Sequence, residues 1–481
     1  MYECPNCGGN LIFDIPSQQL KCAYCLTTQD PYHITKDKDA EEAGGDFNVT
    51  VFTCPQCGGE ILSTDTSAAE FCSFCGASTI LHSRISRERR PSHIIPFKQT
   101  KEACKKAYIA RMRRAPFAPS ELKDEKCIDG FRGIYIPYWA YSITQKGTVH
   151  IIGKKSYTQG DYSYKDRYDL SGDLDAYYYD LSYDGSSSFD DSLSQRIAPF
   201  HVRDSKKFTP AFLSGFYADT ADVDSSVYRE DAIKLATDAS YRNIKKEPAF
   251  SGIRLSLEDG SPEDAMALHT LCDQPERVLY PVWFMSYRKN GRVAYATVNG
   301  QSGKVAADIP VDIRKYVLGV LLLALPIFLL LNLFLTIKPD LLLTCAGLLG
   351  SFTFMAYLME LANILRRDQR LDDRGYQYRQ GKGRNGKWES GILLKEILNY
   401  VFAEKGAGPG GAMGFLGAGA AMGVSLGVRL FAPVSDLWYY GGAIISFLGI
   451  LLTNVAIIQK YNVLATRKLP QFDRKGGDSR G

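Results

Sequence analysis

The cysteine pattern constrains this chain more than any other feature. Cys4-Pro-Asn-Cys7 and Cys22-Ala-Tyr-Cys25 recur fifty residues later as Cys54-Pro-Gln-Cys57 and Cys72-Ser-Phe-Cys75. Each pair encloses two residues, and fourteen separate the pairs in both copies. A C-x2-C turn aims two thiolates and its backbone N–H groups at one point, and two such turns complete a tetrahedral four-thiolate site. Gly8 and Gly58 stand where that turn favours a positive φ. The spacing predicts two tandem zinc ribbons. The first spans residues 1–29 with ligands Cys4, Cys7, Cys22 and Cys25; the second spans 50–83 with Cys54, Cys57, Cys72 and Cys75. Zn2+ is the expected ion at both sites, with iron as the alternative for the same donors. Four thiolates leave no coordination position for water, so both metals are expected to be structural.

The remaining thiols, Cys104, Cys127, Cys272 and Cys345, are scattered and read as buried or idle. Residues 30–49 read as an acidic linker. Residues 1–83 hold three Lys or Arg against eleven Asp or Glu, a balance of −8 before any metal is counted. Nucleic-acid recognition needs a basic footprint, so this sign argues against DNA or RNA as the partner of the ribbons. The polar start ahead of Cys4 does not read as a signal peptide, and thiolate metal sites are expected in a reducing cytosol.

Residues 84–311 read as an α+β body with an internal duplication. Ile134-Tyr-Ile-Pro-Tyr-Trp-Ala-Tyr and Leu279-Tyr-Pro-Val-Trp-Phe-Met-Ser-Tyr are both aromatic and β-branched, and Pro137/Trp139 match Pro281/Trp283 at one offset of 144. A helical pattern precedes each strand, Lys98–Arg114 in one case and Tyr228–Lys246 in the other. The expectation is a repeated helix plus antiparallel sheet, its prolines at an edge or bulge and its tryptophans in the core. Arg84–Arg90 reads as a basic linker. The Tyr/Asp/Ser/Gly-rich stretch 147–200 reads as a β-meander with solvated turns.

The C-terminal third predicts four transmembrane α-helices in two hairpins, 316–365 and 406–459. Tyr316–Ile337 carries no charge and is long enough to span a bilayer. Arginine and lysine crowd the middle segment 366–405 and the tail 460–481, and are nearly absent from the two hairpin loops. By the positive-inside rule both termini and the middle segment face the cytosol, against anionic headgroups. Glu360 is expected to pair with Arg366 and Arg367 at the interface. Gly410, Gly414, Gly419, Gly423 and Gly427 read as a stripe lacking side chains, against which another helix, in this chain or in an oligomer, can pack closely.

No phosphate-binding G-x-x-x-x-G-K-[ST], H-E-x-x-H or G-x-S-x-G motif occurs, so no enzyme activity is expected. The ordered set of motifs resembles the bacterial family of transcription factor IIB-type zinc-ribbon-containing membrane proteins. It is carried by the two Cys-Pro-x-Cys-Gly-Gly ribbons, His93-Ile-Ile-Pro-Phe-Lys98, Gly133-Ile-Tyr-Ile-Pro-Tyr-Trp139, Pro210-Ala-Phe-Leu-Ser-Gly-Phe216 and Val298-Asn-Gly-Gln-Ser-Gly-Lys304. Leu26 departs from the usual pattern, which has Gly after the fourth cysteine. The resemblance implies a membrane anchor acting beside flotillin-like (SPFH) or phage-shock-type proteins. The expected function is a membrane-anchored zinc-ribbon scaffold that docks a protein partner; the alternative is a membrane-tethered nucleic-acid-binding protein.

Overall fold

The computed structural model describes residues 2–34, 45–63, 72–77, 82–251, 253–256, 268–289, 291–334, 338–381, 395–397, 399 and 411–470. A small N-terminal sheet holds β1 (Leu11–Asp14), β2 (Gln19–Cys22) and β3 (Thr28–Gln29). One large sheet takes the other strands: β4 (Asp46–Thr53), β5 (Glu60–Ser63), β6 (His82–Arg89), β7 (His93–Ile94), β8 (Arg132–Gln159), β9 (Tyr162–Asp184), β10 (Lys206–Lys207), β11 (Tyr217–Asp219), β12 (Arg254–Ser256), β13 (His269–Cys272), β14 (Glu276–Lys289), β15 (Arg292–Asn299), β16 (Val305–Ala307) and β17 (Arg467–Lys468). The body helices are α1 (Lys101–Arg113), α2 (Asp191–Ile197) and α3 (Arg229–Lys246). Then come α4 (Ile313–Phe334), α5 (Pro339–Asp368), α6 (Arg374–Arg379), α7 (Gly411–Phe431) and α8 (Asp436–Leu464).

The two proline-bearing strands lie at the centre of the large sheet, not at its edge, in the order β10-β7-β14-β8-β11-β5-β4-β6. Proline is tolerated there because each one falls where the outer neighbour changes. Along β8, parallel pairing with β11 ends at Tyr135, and antiparallel pairing with β9 starts at Tyr138. Pro137 sits in the gap, and its carbonyl still accepts from Gly185 N at 2.7 Å. Along β14, pairing with β7 ends at Leu279 and pairing with β15 starts at Val282; the Pro281 carbonyl accepts from Gly300 N at 2.8 Å. The N–H that proline lacks has no ladder partner to serve at either place.

The two halves correspond contact for contact. Ile136 stands opposite Tyr280 in the antiparallel β8–β14 pair. Moving one strand forward and the other back by the sequence offset reproduces this register, as an approximate two-fold axis requires. The Gly185 carbonyl accepts from Asp222 N and Val223 N; the Gly300 carbonyl accepts from Lys98 N and Gln99 N. Trp139 Nε1 donates to Val223 O and Trp283 Nε1 to Gln99 O, both at 2.9 Å. Those carbonyls directly precede Asp224, which caps the turn leading into α3, and Thr100, the cap of α1. Each tryptophan therefore ties its strand to the helix of the other half. The sheet is mixed rather than antiparallel, because β7 and β11 run parallel to β14 and β8. Phe97 stacks on Phe216 (4.5 Å between centroids) and tilts against Trp283 (5.1 Å), closing the core beside this axis.

Three further expectations change. Arg84–Arg90 is no linker: most of it lies in β6, paired with β4 along its whole length. Residues 147–184 form no meander. They belong to one long hairpin of β8 and β9, turned at Gly160 (φ 64°), whose Thr144–Gln159 stretch extends about 50 Å at roughly 3.3 Å per residue. The second cysteine module is no separate ribbon either, since β5 pairs with β11 and so continues the central sheet.

Among the described residues, four helices are long and apolar enough to cross a membrane. α5, α7 and α8 pack together, whereas the apolar window of α4 is unburied. Only part of the glycine stripe is used in packing. A Cβ on Gly414 would collide with Tyr357 of α5, while among the described residues nothing beyond the helix's own neighbouring backbone lies within 4 Å of one on Gly419, Gly423 or Gly427; Gly410 lies outside the described residues. The step from Gly414 to Gly419 is five residues, which turns the helix by about 140° and moves the second stripe off the packed face. The close contact is instead Gly417 against Gly449 of α8, where a Cβ would stand 2.6 Å from the Gly449 carbonyl. Gly417→Val is expected to cost about 1–3 kcal/mol of helix packing and Gly423→Val almost nothing; thermal unfolding in detergent compares the two.

Candidate metal centres

All four cysteine turns fold alike because their backbone hydrogen bonds are the same. The first cysteine N–H donates to the carbonyl five residues on: Cys4 to Gly9, Cys22 to Thr27, Cys54 to Gly59, Cys72 to Ala77, at 2.7–3.0 Å. The residue four on donates back to the cysteine carbonyl and takes a positive φ: Gly8 71°, Leu26 61°, Gly58 73° and Gly76 69°. Leu26 is the exposed exception, holding a Cβ in a region that costs L-residues about 1–2 kcal/mol. Leu26→Gly is expected to recover roughly 0.5–1 kcal/mol of that cost and to slow loss of metal from the first site, measured as chelator-stripping kinetics.

The turns bring together Cys4, Cys7, Cys22 and Cys25 in one cluster and Cys54, Cys57, Cys72 and Cys75 in the other, each with its four sulfurs within 4.8 Å of one another. In the second cluster Cys54–Cys75 is 3.8 Å and Cys57–Cys72 is 3.7 Å. A tetrahedron with metal–sulfur bonds of about 2.3 Å has edges of about 3.8 Å, and a disulfide would need about 2.05 Å. The first cluster is tighter, at 3.4 Å for Cys7–Cys22 and 3.5 Å for Cys4–Cys25. The donor set and spacing fit one four-coordinate metal ion in each.

Their surroundings differ. In the first cluster Cys7 and Cys25 are exposed, and the Thr27 hydroxyl and N–H bonds hold the Cys25 thiol down at about 6. This module docks through Phe13 against Phe212 (5.3 Å), through the Ser214 hydroxyl donating to Leu11 O (2.5 Å), and through Gln18 Nε2 donating to Phe97 O (2.8 Å). In the second cluster all four cysteines are buried in a core with Phe52, Ile61, Phe74 and Ala77. Phe74 packs on Phe284 of β14, and the Tyr295 hydroxyl of β15 donates to Phe74 O at 2.5 Å. One centre is a surface module; the other is part of the body.

Sequence reasoning missed the junction between body and membrane helices. Arginines predicted to face lipid headgroups reach carboxylates of the body instead. Arg367 pairs with Asp308 (3.0 Å), Arg379 with Asp222 (3.4 Å), Arg467 with Asp190 (2.5 Å), and Arg374 with Asp231. Among the described residues Glu360 Oε2 has no hydrogen-bond partner, and the expected ion pair of Glu360 with Arg366 and Arg367 does not form; Arg367 turns to Asp308. Strand β17, beyond the last long helix, pairs with β15. The start of α4 and the ends of α5 and α8 therefore meet the body on one side, while Arg429 and Asp340 pair at the opposite end (3.2 Å).

Burial, reinforced by neighbouring carboxyls, holds Asp184, Asp191 and Asp373 well above the usual carboxylate range. The folded state then keeps protons that the unfolded chain releases near pH 4, so these groups favour folding at low pH and lose that contribution as pH rises through their folded range. Asp190, its carboxylate held down by Arg467 against the effect of burial, acts in the opposite sense and only in acid. The body is expected to resist denaturant better at pH 5.5 than at pH 8, with Asp184→Asn reducing the difference; denaturant midpoints at both pH values test this.

The fold and sites define a multidomain α+β protein with two four-cysteine clusters, each able to hold a metal ion, and a membrane-type helical region. The uncharacterized protein YdjG of Bacillus subtilis (strain 168) is 27% identical over 320 residues, covering 65% of this chain and 91% of that protein. No family model and no solved structure matches the chain.

Proposed function

We propose that this protein is a membrane-anchored scaffold. Its two zinc centres and two-fold α+β body present a cytosolic docking surface to a protein partner, and four transmembrane helices fix that surface at the inner face of the cell membrane. The observation that carries this reading is the arginine–aspartate junction. Arg367, Arg374, Arg379 and Arg467 hold the body against the ends of the long helices, so it is a platform of fixed orientation. Both metal sites are closed by four thiolates, which favours a structural over a catalytic role. The surplus of arginine and lysine in the middle segment and tail supports the cytosolic orientation. The first metal module, exposed at one side of the body, is the candidate docking element, and a flotillin-like or phage-shock-type membrane protein is the candidate partner.

The test is co-purification from detergent-solubilised membranes, comparing wild type with Cys7→Ser/Cys25→Ser. These positions empty the exposed site while leaving the buried one intact. Loss of a specific bound protein, with the variant still in the membrane fraction, is the expected result. An unchanged set of bound proteins overturns the docking role. Nucleic acid bound in a salt-dependent way, without protein, promotes the alternative reading instead.

A further inference from the structure

A polar cavity of about 630 Å³ opens where the body meets the membrane helices, between the end of α5, helix α6 and strand β17. Arg367, Arg370, Arg467 and Lys468 line it together with Asp190 and Asp368. Most of these charges are spoken for. Arg467 pairs with Asp190, Arg367 with Asp308, and Arg292 and Lys468 share Asp368 at 3.5 Å. Asp372, next in the chain to Leu371 of the wall, interacts electrostatically with Arg367 and Arg467. Among the described residues Arg370 makes no ion pair, although Asp190 and Asp373 act on it at longer range, and its guanidinium lies over the Tyr376 ring at 4.2 Å.

Arg370 also occupies a costly backbone position. It ends α5 with φ 49°, while Leu371 N donates to Arg366 O at 2.8 Å, a helix cap at which Gly is the usual residue. A non-glycine residue there costs of order 1–3 kcal/mol, and such strain concentrates at ligand clamps. In the same wall Arg367 Nε and Arg467 Nε, the latter on a side chain only 10% exposed, are also buried with no hydrogen-bond partner among the described residues. An unmade bond on a buried charged group costs more than an exposed one, so a wall with several of them is complete only with an acceptor present.

We propose that this cavity binds a phosphate ester, with Arg370 as its principal clamp and Arg367, Arg467 and Lys468 supplying further N–H donors. Phosphate matches the guanidinium fork and offers enough oxygens to satisfy several donors at once. The expected source is the headgroup of an anionic phospholipid. Helix α5 has 30 residues, about 45 Å against a hydrocarbon core of about 30 Å, so its end stands at headgroup depth when the helix spans the bilayer. The lipid source rests on the membrane reading above; the phosphate chemistry rests only on the cavity.

The test titrates the detergent-solubilised full chain with phosphatidylglycerol, phosphatidylcholine and inorganic phosphate, reading binding by native mass spectrometry and thermal stability in parallel. Phosphatidylglycerol is expected to bind in preference to phosphatidylcholine. Arg370→Gly is expected to weaken it by about ten- to a hundredfold, the worth of one to two charge-assisted bonds, while raising the melting temperature by relieving the cap. A merely structural arginine would not separate those two effects. Lys468→Gln, at an exposed position, should weaken binding less and leave stability unchanged. Inorganic phosphate competing as strongly as the lipid supports the clamp and assigns it a soluble ligand. Equal binding by wild type and Arg370→Gly, or no preference for either phosphate probe over phosphatidylcholine, overturns the proposal. Flotation of the chain with vesicles is scored separately, so failure of the anchor reading is distinguishable from failure of the cavity.

Discussion

Cys72→Ser lowers the melting temperature of the whole body, whereas Cys7→Ser removes metal and leaves the melt nearly unchanged. Both variants lose one four-thiolate site, so a difference between them reports context rather than ligand count. Cys72 is 1% exposed, in a core that includes Phe52, Phe74 and Cys54. The strands of that module continue the central sheet through the β5–β11 pair. Losing the metal there loosens the turns that hold Phe52, Ile61 and Phe74 together and weakens the junction of β4 and β5 with the central sheet. A structural metal is folding free energy, and its loss at a buried site belongs to the largest class of mutational effects, at least about 4 kcal/mol here. For a body of this size that is a fall of order 10 °C. Cys7, in contrast, is exposed on a module held by Phe13, Ser214 and Gln18. Metal analysis with near-UV circular dichroism of the full chain in detergent makes the comparison. Equal melting losses in the two variants would mean that the sites are equivalent and that the sheet does not depend on the second.

Asp308→Ala separates the body from the long apolar helices without unfolding either. Asp308 lies just beyond β16, and its carboxylate is 2.8 Å from Arg196, 3.0 Å from Arg367 and 3.5 Å from Arg467. These guanidinia come from α2, the end of α5 and β17, so one carboxylate joins three elements. Its side chain is 4% exposed, and truncation leaves buried positive charges facing one another. Breaking a buried ion pair by removing one partner costs about 3–5 kcal/mol. The loss should be local to the junction. Hydrogen exchange is expected to quicken at the α5 end, α6 and β17, with β8 and β14 still protected. Exchange that rises uniformly across the central sheet, or nowhere, would show that Asp308 does not act as the joint. Asp308→Asn keeps the volume and part of the hydrogen bonding, so it should fall between the two.

Covalent spacing and periodicity determined the local features of this protein. The C-x2-C pairs specified both ligand sets because each turn needs only neighbouring residues to aim its sulfurs. About twenty mostly apolar residues, with hardly a charge among them, specified each long helix because hydrophobic length is a one-dimensional quantity. The matched Pro137/Trp139 and Pro281/Trp283 strands were legible for the same reason. Their place beside each other was not, since the sequence carries no sign of which neighbour a proline's missing N–H would have faced. That depends on where β11 gives way to β9 and β7 to β15. The ion pairs show the same division. Arg367 and Arg467 read as lipid-facing because charge in a flanking segment is scored against the membrane alone, but Asp190 and Asp308, far away in the chain, compete for them once the fold brings them within 3.5 Å. The glycine spacing in α7 suggested one stripe, and helical phase divided it in two. Tertiary structure alone decided that one cysteine cluster is a surface module and its sequence twin part of a core, because burial is set by what packs over a site and not by the residues that form it.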